Sequence, residues 1–340
     1  MSTFHAIVGH RHAKSLLASA IARGSVPPAL LLTGPVAVGK YAVARAIAAA
    51  INCLNPRTDT AGLAVDACGT CRSCDRIGRH VHVDVLTVEP DDTAKIKVEA
   101  IRTVLEQTAF RPFEGKRRVV ILRDADAMLH TEQAAQNALL KSLEEPPPGT
   151  IFILTTAIAG ALLPTVRSRC MQLQVGRLTE AEVTEVLSRD HGFSPQDARV
   201  AAALSDGSVG HALALGSSDL EELREVALQL LERAAKGNIG ARMQAATTLA
   251  VSSKKDRERA EVALTLRLMS SMLRDIELLN AGADPRLLAN PSHRDRLHRI
   301  ARAYTGERAR ASYTAVDEAV VAVNRNAGTK VVADWLAAHL

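Results

Sequence analysis

Short apolar runs recur along the first half of the chain: Ala29-Leu-Leu-Leu-Thr33, Val83 to Val88, Val119-Val-Ile-Leu122 and Ile151 to Thr155. Runs of this length predict strands buried on both faces, and the helical patterns between them predict the crossovers of a parallel sheet. Tyr41 to Asn52 is Ala-rich and reads as helix. From Ile96 onward, Val98, Ile101, Val104, Leu105 and Thr108 share one helical face. The helix through Asn137 to Glu145 must stop before Pro146-Pro147-Pro148. Met171, Leu173 and Val175 alternate with Gln172 and Gln174, which predicts a half-buried fifth strand.

After Gly176 the strands end. Thr179 and Glu182 form a capping box ahead of Val183, Val186 and Leu187, and Ser194-Pro195 with Asp197 opens a second helix. A third helix starts near Gly207-Ser208-Val209-Gly210. From about Ser218 to Leu340 the pattern is helical, with breaks at Gly237-Asn238, Gly282 to Pro285 and Thr305-Gly306. The expected organisation is an α/β unit over 1–176 with an inserted module at about 53–80, a three-helix unit over 177–217, and an all-helical unit over 218–340.

Composition supports more than one core: of 340 residues 47% are hydrophobic and 23% charged, which excludes a disordered or collagen-like chain. Aromatics at 3% make an all-β fold a poor reading. No basic segment leads into an apolar one at the N-terminus, and no apolar stretch reaches the ~18 residues of a membrane span, so a cytoplasmic protein is expected. The net charge is +5, and the stretch from Arg286 to Arg310 carries seven arginines against two acids, a surplus equal to that of the whole chain. Such a run suits nucleic acid or an acidic partner, although the solvated face of helices is the commoner reading.

Gly34-Pro-Val-Ala-Val-Gly39-Lys40, lying between a strand and a helix, fits the phosphate-loop pattern G-x-x-x-x-G-K. In that pattern the loop and helix N-terminus cradle phosphates and the lysine reaches the outer ones. The next position is Tyr41 rather than the Ser or Thr that ligates Mg²⁺, so ATP or ADP binding is expected and hydrolysis is not. The competing reading is a tight turn whose glycines serve backbone geometry alone. A hydrolysing loop also needs an acidic pair after the Val119–Leu122 strand. Here Arg123-Asp124-Ala125-Asp126 loses one acid in either register, and Asp124 and Asp126 are expected to cap the next helix.

Cys53, Cys68, Cys71 and Cys74 supply four thiolates, the last three in overlapping Cys-x-x-Cys spacing. Four thiolates close a tetrahedral Zn²⁺ site and leave no open position, so a structural role is expected. Free thiols or a redox pair are the alternatives, although a redox pair needs no further cysteines.

Leu139-Leu-Lys-Ser-Leu-Glu-Glu-Pro-Pro147, Leu154-Thr-Thr156 and Leu163-Pro-Thr-Val-Arg-Ser-Arg-Cys170 follow the phosphate loop and the cysteine cluster in order. Together they resemble the clamp-loader branch of the AAA+ ATPases over Ile7 to about Leu215. The resemblance implies an AAA+ core with a zinc knuckle, a helical lid and a helical collar. It implies a non-motor subunit that helps load a sliding clamp onto primed DNA, with gamma or tau and delta subunits as partners and no membrane. It implies that Arg169 acts in trans as an arginine finger, and that Gly210 stands where motor subunits carry a nucleotide-sensing arginine, with His211 beside it. An ATP-hydrolysing motor of the same complex is the alternative reading, and a zinc-containing DNA-binding protein without ATP coupling is a second.

Overall fold

The computed structural model describes residues 3–91, 93, 95–130, 134–214, 220–236, 240, 243, 255–324 and 327–340. They group into two compact units, residues 1–186 with 207–210, and residues 187–206 with 211–340. The expected break at Gly237-Asn238 and the boundary at Ser218 lie outside the described residues.

In the first unit β1 (Ala29–Thr33), β4 (Val85–Val88), β5 (Arg118–Leu122), β6 (Thr150–Thr156) and β7 (Met171–Gln174) form one parallel sheet in the order β4-β5-β6-β1-β7. Alternate side chains of each strand enter opposite cores. Leu30, Leu32, Val119, Ile121, Ile151 and Ile153 pack with α1 (Arg11–Ala22) and α2 (Lys40–Asn52). Ala29, Leu31, Val120, Leu122, Phe152 and Leu154 pack with α4 (Val98–Thr108), α5 (Ala134–Glu144) and α6 (Pro164–Ser168). Burial on both faces is why these strands read as unbroken apolar runs.

Two strand expectations change. The run from Val83 yields a strand only from Val85, because Asp84 is fully buried and accepts N–H bonds from Phe113, Glu114 and Gly115 while pairing with Arg118 at 2.9 Å. Met171 is 52% exposed although it alternates with Leu173 and Val175. β7 is the sheet edge, paired with β1 alone, so its alternation does not guarantee cover.

Between α2 and β4 the chain inserts a hairpin, β2 (Arg57–Thr58) with β3 (Ala64–Asp66), and α3 (Arg72–Gly78). Beyond the sheet come α7 (Glu180–His191), α8 (Pro195–Leu204) and α9 (Val209–Ala214). The Thr179–Glu182 capping box is formed, each side chain accepting the other's backbone N–H at 3.2 and 2.9 Å, and Ser194 caps α8 through Asp197 N.

The second unit is built on α10 (Leu220–Ala235), α11 (Lys255–Asn280), α12 (Arg294–Ala301), α13 (Gly306–Asn324) and α14 (Thr329–His339). Its core holds Leu228, Leu231, Leu266, Met269, Ile276, Tyr304 and Val316. The expected breaks at Gly282–Pro285 and Thr305-Gly306 are present. Fully buried Asp275 accepts the N–H groups of Ala289 and Asn290, which fixes the turn between α11 and α12. Among the described residues no helix is long and apolar enough to cross a membrane.

Candidate functional site

The phosphate loop follows β1, the strand at which the sheet order reverses, and ends where Lys40 opens α2. A crevice at the carboxyl ends of strands beside such a reversal is where open α/β sheets take ligands. Gly34 allows a close approach: a Cβ there would lie 1.9 Å from the Val175 carbonyl oxygen. Lys40 Nζ donates to the carbonyl oxygens of Gly34 at 2.9 Å and Pro35 at 2.6 Å, so the ammonium sits inside the loop. Burial lowers its pKa, with Asp124 and Asp126 opposing. His10 was not legible as a loop residue. It adopts φ 50 at the N-cap of α1, and its Nε2 lies 2.9 Å from the Val38 oxygen.

The metal half of an ATP site does not fit these residues. Tyr41 Oη pairs with His80 Nδ1 at 3.2 Å, and the Tyr41 ring has the Arg123 guanidinium 5.2 Å and the Arg45 guanidinium 5.8 Å from its centroid. Arg123 also pairs with Glu89 at 3.2 Å and with Asp124 at 3.4 Å. Asp126 is not a helix cap as expected. Its carboxylate accepts the Thr156 hydroxyl at 2.8 Å and Ala157 N at 3.1 Å, fastening the end of β5 to the end of β6. Asp124 adopts φ 48, and its side chain pairs with Arg123 rather than capping. A cation thus occupies the neighbourhood where a hydrolytic site needs a carboxylate and a divalent ion.

The start of α9 lies against the same loop. Gly210 N donates to Ala37 O at 3.1 Å and Ser208 Oγ to Val36 O at 2.9 Å. A Cβ on Gly210 would meet the Ala37 Cβ at 2.4 Å, so an arginine there would have to displace the loop. In the other unit, His211 Nδ1 lies 3.5 Å from an Arg267 guanidinium nitrogen.

The four cysteines converge as their spacing implies. Their Sγ atoms all lie within 4.8 Å of one another, with Cys53–Cys74 at 3.6 Å, Cys53–Cys71 at 3.9 Å and Cys68–Cys74 at 4.0 Å. Zn–S bonds of ~2.3 Å in a tetrahedron give sulfur–sulfur edges of about 3.8 Å, so the residues fit a metal ion held by four thiolates. Cys68 Sγ accepts N–H bonds from Thr70 and Cys71, and Cys53 Sγ accepts one from Cys68. Burial pushes the Cys68 thiol up, but those N–H groups outweigh it and bring it down to about 6. The module has a small apolar base of Ala49, Ala67 and Ile77. Cys170 stands apart in the sheet core, where burial raises its thiol to about 11.

Arg169 follows α6 with its side chain 31% exposed. Its guanidinium donates to Glu144 Oε1 at 3.0 Å and to the Thr165 oxygen at 3.1 Å, while Nε is buried without a partner. Nothing local in the Leu143-Glu-Glu-Pro-Pro147 run marks Glu144 as the partner of Arg169. The pair depends on the end of α5 meeting α6, which are in contact.

A family model described as "DNA polymerase III, delta subunit" matches residues 9–179. The chain is 34% identical over 215 residues to a DNA polymerase III subunit delta' of Pseudomonas aeruginosa, covering 63% of each chain. It is 30% identical over 218 residues to the DNA polymerase III subunit tau of Escherichia coli, covering 63% of this chain and 32% of that one. The chain therefore spans about a third of the tau subunits it matches. A solved DNA polymerase III gamma subunit-related protein of Thermotoga maritima aligns with 96% of this chain and 98% of its own at 17% identity and a TM-score of 0.43.

Proposed function

We propose that this chain, which belongs to the DNA polymerase III delta-subunit family within the clamp-loader AAA+ proteins, serves as the non-motor, delta-prime-type subunit of a clamp loader. The observation that carries this reading is the Arg123 guanidinium over the Tyr41 ring, which fills the metal half of the chain's own ATP site. Gly34, Gly39 and Lys40 keep the phosphate half, so ATP or ADP is held there without being hydrolysed. Cys53, Cys68, Cys71 and Cys74 hold a structural Zn²⁺ that folds the inserted module.

Arg169 contributes in trans. Its planar fork suits the oxygens of a γ-phosphate bound by a neighbouring motor subunit, where it stabilises charge developing during phosphoryl transfer. In the free chain Arg169 pairs with a single acid, Glu144, itself 59% exposed. An exposed pair of this kind is weak enough for a phosphate to displace. Residues 177–217 act as the lid and 218–340 as the collar that joins gamma or tau and delta subunits. The clamp and primed DNA are engaged through the assembly.

Steady-state ATP hydrolysis by the isolated full chain tests the reading: no turnover is expected, and Lys40→Ala in the reconstituted loader should change clamp loading little. The second reading, an ATP-hydrolysing gamma/tau-type motor, draws on the retained Gly34, Gly39 and Lys40. Clear turnover by the isolated chain that Lys40→Ala abolishes would establish that reading and remove the first.

A further inference from the structure

The basic stretch near the C-terminus divides into two kinds of arginine. Arg296 is structural: it holds Glu232 through two bonds at 2.9 Å and Glu225 through one at 2.5 Å, which locks α12 onto α10. Arg308 is structural too, donating to the Ala234 oxygen at 2.7 Å and lying over the Tyr304 ring. Buried Tyr304 adds a 2.8 Å bond to the Leu231 oxygen. The result is a short helix fastened on its inner side by Leu297, Ala301 and Arg296.

The other basic side chains of this helix and its C-cap face outward. At ~100° per residue, Arg294, His298, Arg302 and Arg299 fall within an arc of about 140°, with Asp295 as its only acid. All four basic side chains are exposed, and among the described residues Arg294, Arg299 and Arg302 have no ion-pair or hydrogen-bond partner. Arg294 is the first residue of α12, where the helix dipole disfavours a cation. Local stability therefore gives no reason for its charge.

We propose that this arc of α12 is a nucleic-acid surface that holds the sugar–phosphate backbone without reading bases. The cations on it are the guanidiniums of Arg294, Arg299 and Arg302, whose planar forks match phosphate oxygens. From Arg294 to Arg302 they span about 12 Å of helix axis, over which one strand of B-DNA presents three or four phosphates. No large apolar side chain of α12 is exposed, so the arc lacks the buried anchor on which a protein interface depends. Because α12 is fixed by the Arg296 and Tyr304 bonds, the three guanidiniums need little ordering on binding.

The test is fluorescence anisotropy of the full chain with labelled single-stranded and duplex DNA of mixed sequence across a salt series. Three phosphate contacts predict a slope of log K against log salt near −2 for single strands and nearer −3 for duplex. Replacing Arg294, Arg299 and Arg302 together by Ala should weaken binding at least tenfold at ~50 mM salt and flatten the slope by about two. Replacing Arg23, Arg57 and Arg199, exposed arginines elsewhere, removes the same charge and should leave the slope unchanged. Circular dichroism of both variants should match the parent chain. The proposal is overturned by absence of DNA binding, by an equal loss in both triple variants, or by an unchanged slope in the first. Tighter binding of polyglutamate than of DNA at equal charge would assign the arc to an acidic protein instead.

Discussion

The Arg123 guanidinium lies 5.2 Å from the centroid of the Tyr41 ring. The two positions are 82 residues apart in sequence, yet each departs from a hydrolytic phosphate-loop site, Tyr41 at the hydroxyl position and Arg123 at the end of the strand that should end in acid. Their contact makes the two departures one replacement. Neither single reversal restores a metal site: Tyr41→Thr leaves the cation, and Arg123→Asp leaves no small hydroxyl. Both variants should show no ATP turnover above background in a phosphate-release assay. Arg123→Ala should lower stability by about 0.5–1 kcal/mol, an exposed cation–π contribution, read as a small fall in melting temperature.

Arg169 and Glu144 allow the proposed trans role to be tested against a structural one. Glu144→Ala should cost under ~1 kcal/mol of stability and leave stimulated ATPase of an assembled loader intact, because the arginine keeps its bond to the Thr165 oxygen. Arg169→Ala should assemble but lower clamp- and DNA-stimulated ATPase, and Arg169→Lys should rescue it poorly. Full ATPase in Arg169→Ala would leave the residue only its local bonds to Glu144 and the Thr165 oxygen.

Removal of metal from the cysteine module should be local. Chelation, or Cys71→Ser, should open residues 53–80 to protease while the melting of the helical unit is unchanged, because the module's apolar base is small, Ala49, Ala67 and Ile77 with the half-buried Val85 around the cysteines. Metal analysis of protein purified without chelator should find about one ion per chain, with zinc expected from a four-thiolate set.

Asp84 makes a pH prediction. Burial pushes its carboxyl up, but the N–H groups of Gly115, Phe113 and Glu114 and the Arg118 guanidinium outweigh burial and hold it at about 2. Its folded value lies below the unfolded one, so the stability it contributes is complete above pH ~4 and is lost as pH falls toward 2. The difference amounts to roughly 2 kcal/mol. Asp84→Asn should remove that slope from an acid denaturation series and cost about 3–5 kcal/mol at neutral pH, because Arg118 is left buried without its counter-charge.

The sequence by itself determined the elements whose signal is local. Strands buried on both faces must be apolar throughout, so β1, β5 and β6 are visible as runs; four thiolates within 22 residues announce a candidate metal site; and capping pairs such as Thr179 with Glu182 lie within one helical turn. It also showed that Tyr41 and Arg123 each break a hydrolytic pattern. Only the tertiary structure decided what those residues do instead. The Arg123–Tyr41 stack, the bond from Asp126 to Thr156, the Glu144 partner of Arg169 and the contact of Gly210 with Ala37 join segments 25 to 173 residues apart. The partner of a charged side chain is set by which loops the sheet order brings together, and no periodicity in the chain records that. The same reason divides the basic stretch: Arg296 and Arg299 are alike in sequence, and only the packing of α12 against α10 turns one inward to Glu225 and Glu232 and leaves the other facing solvent.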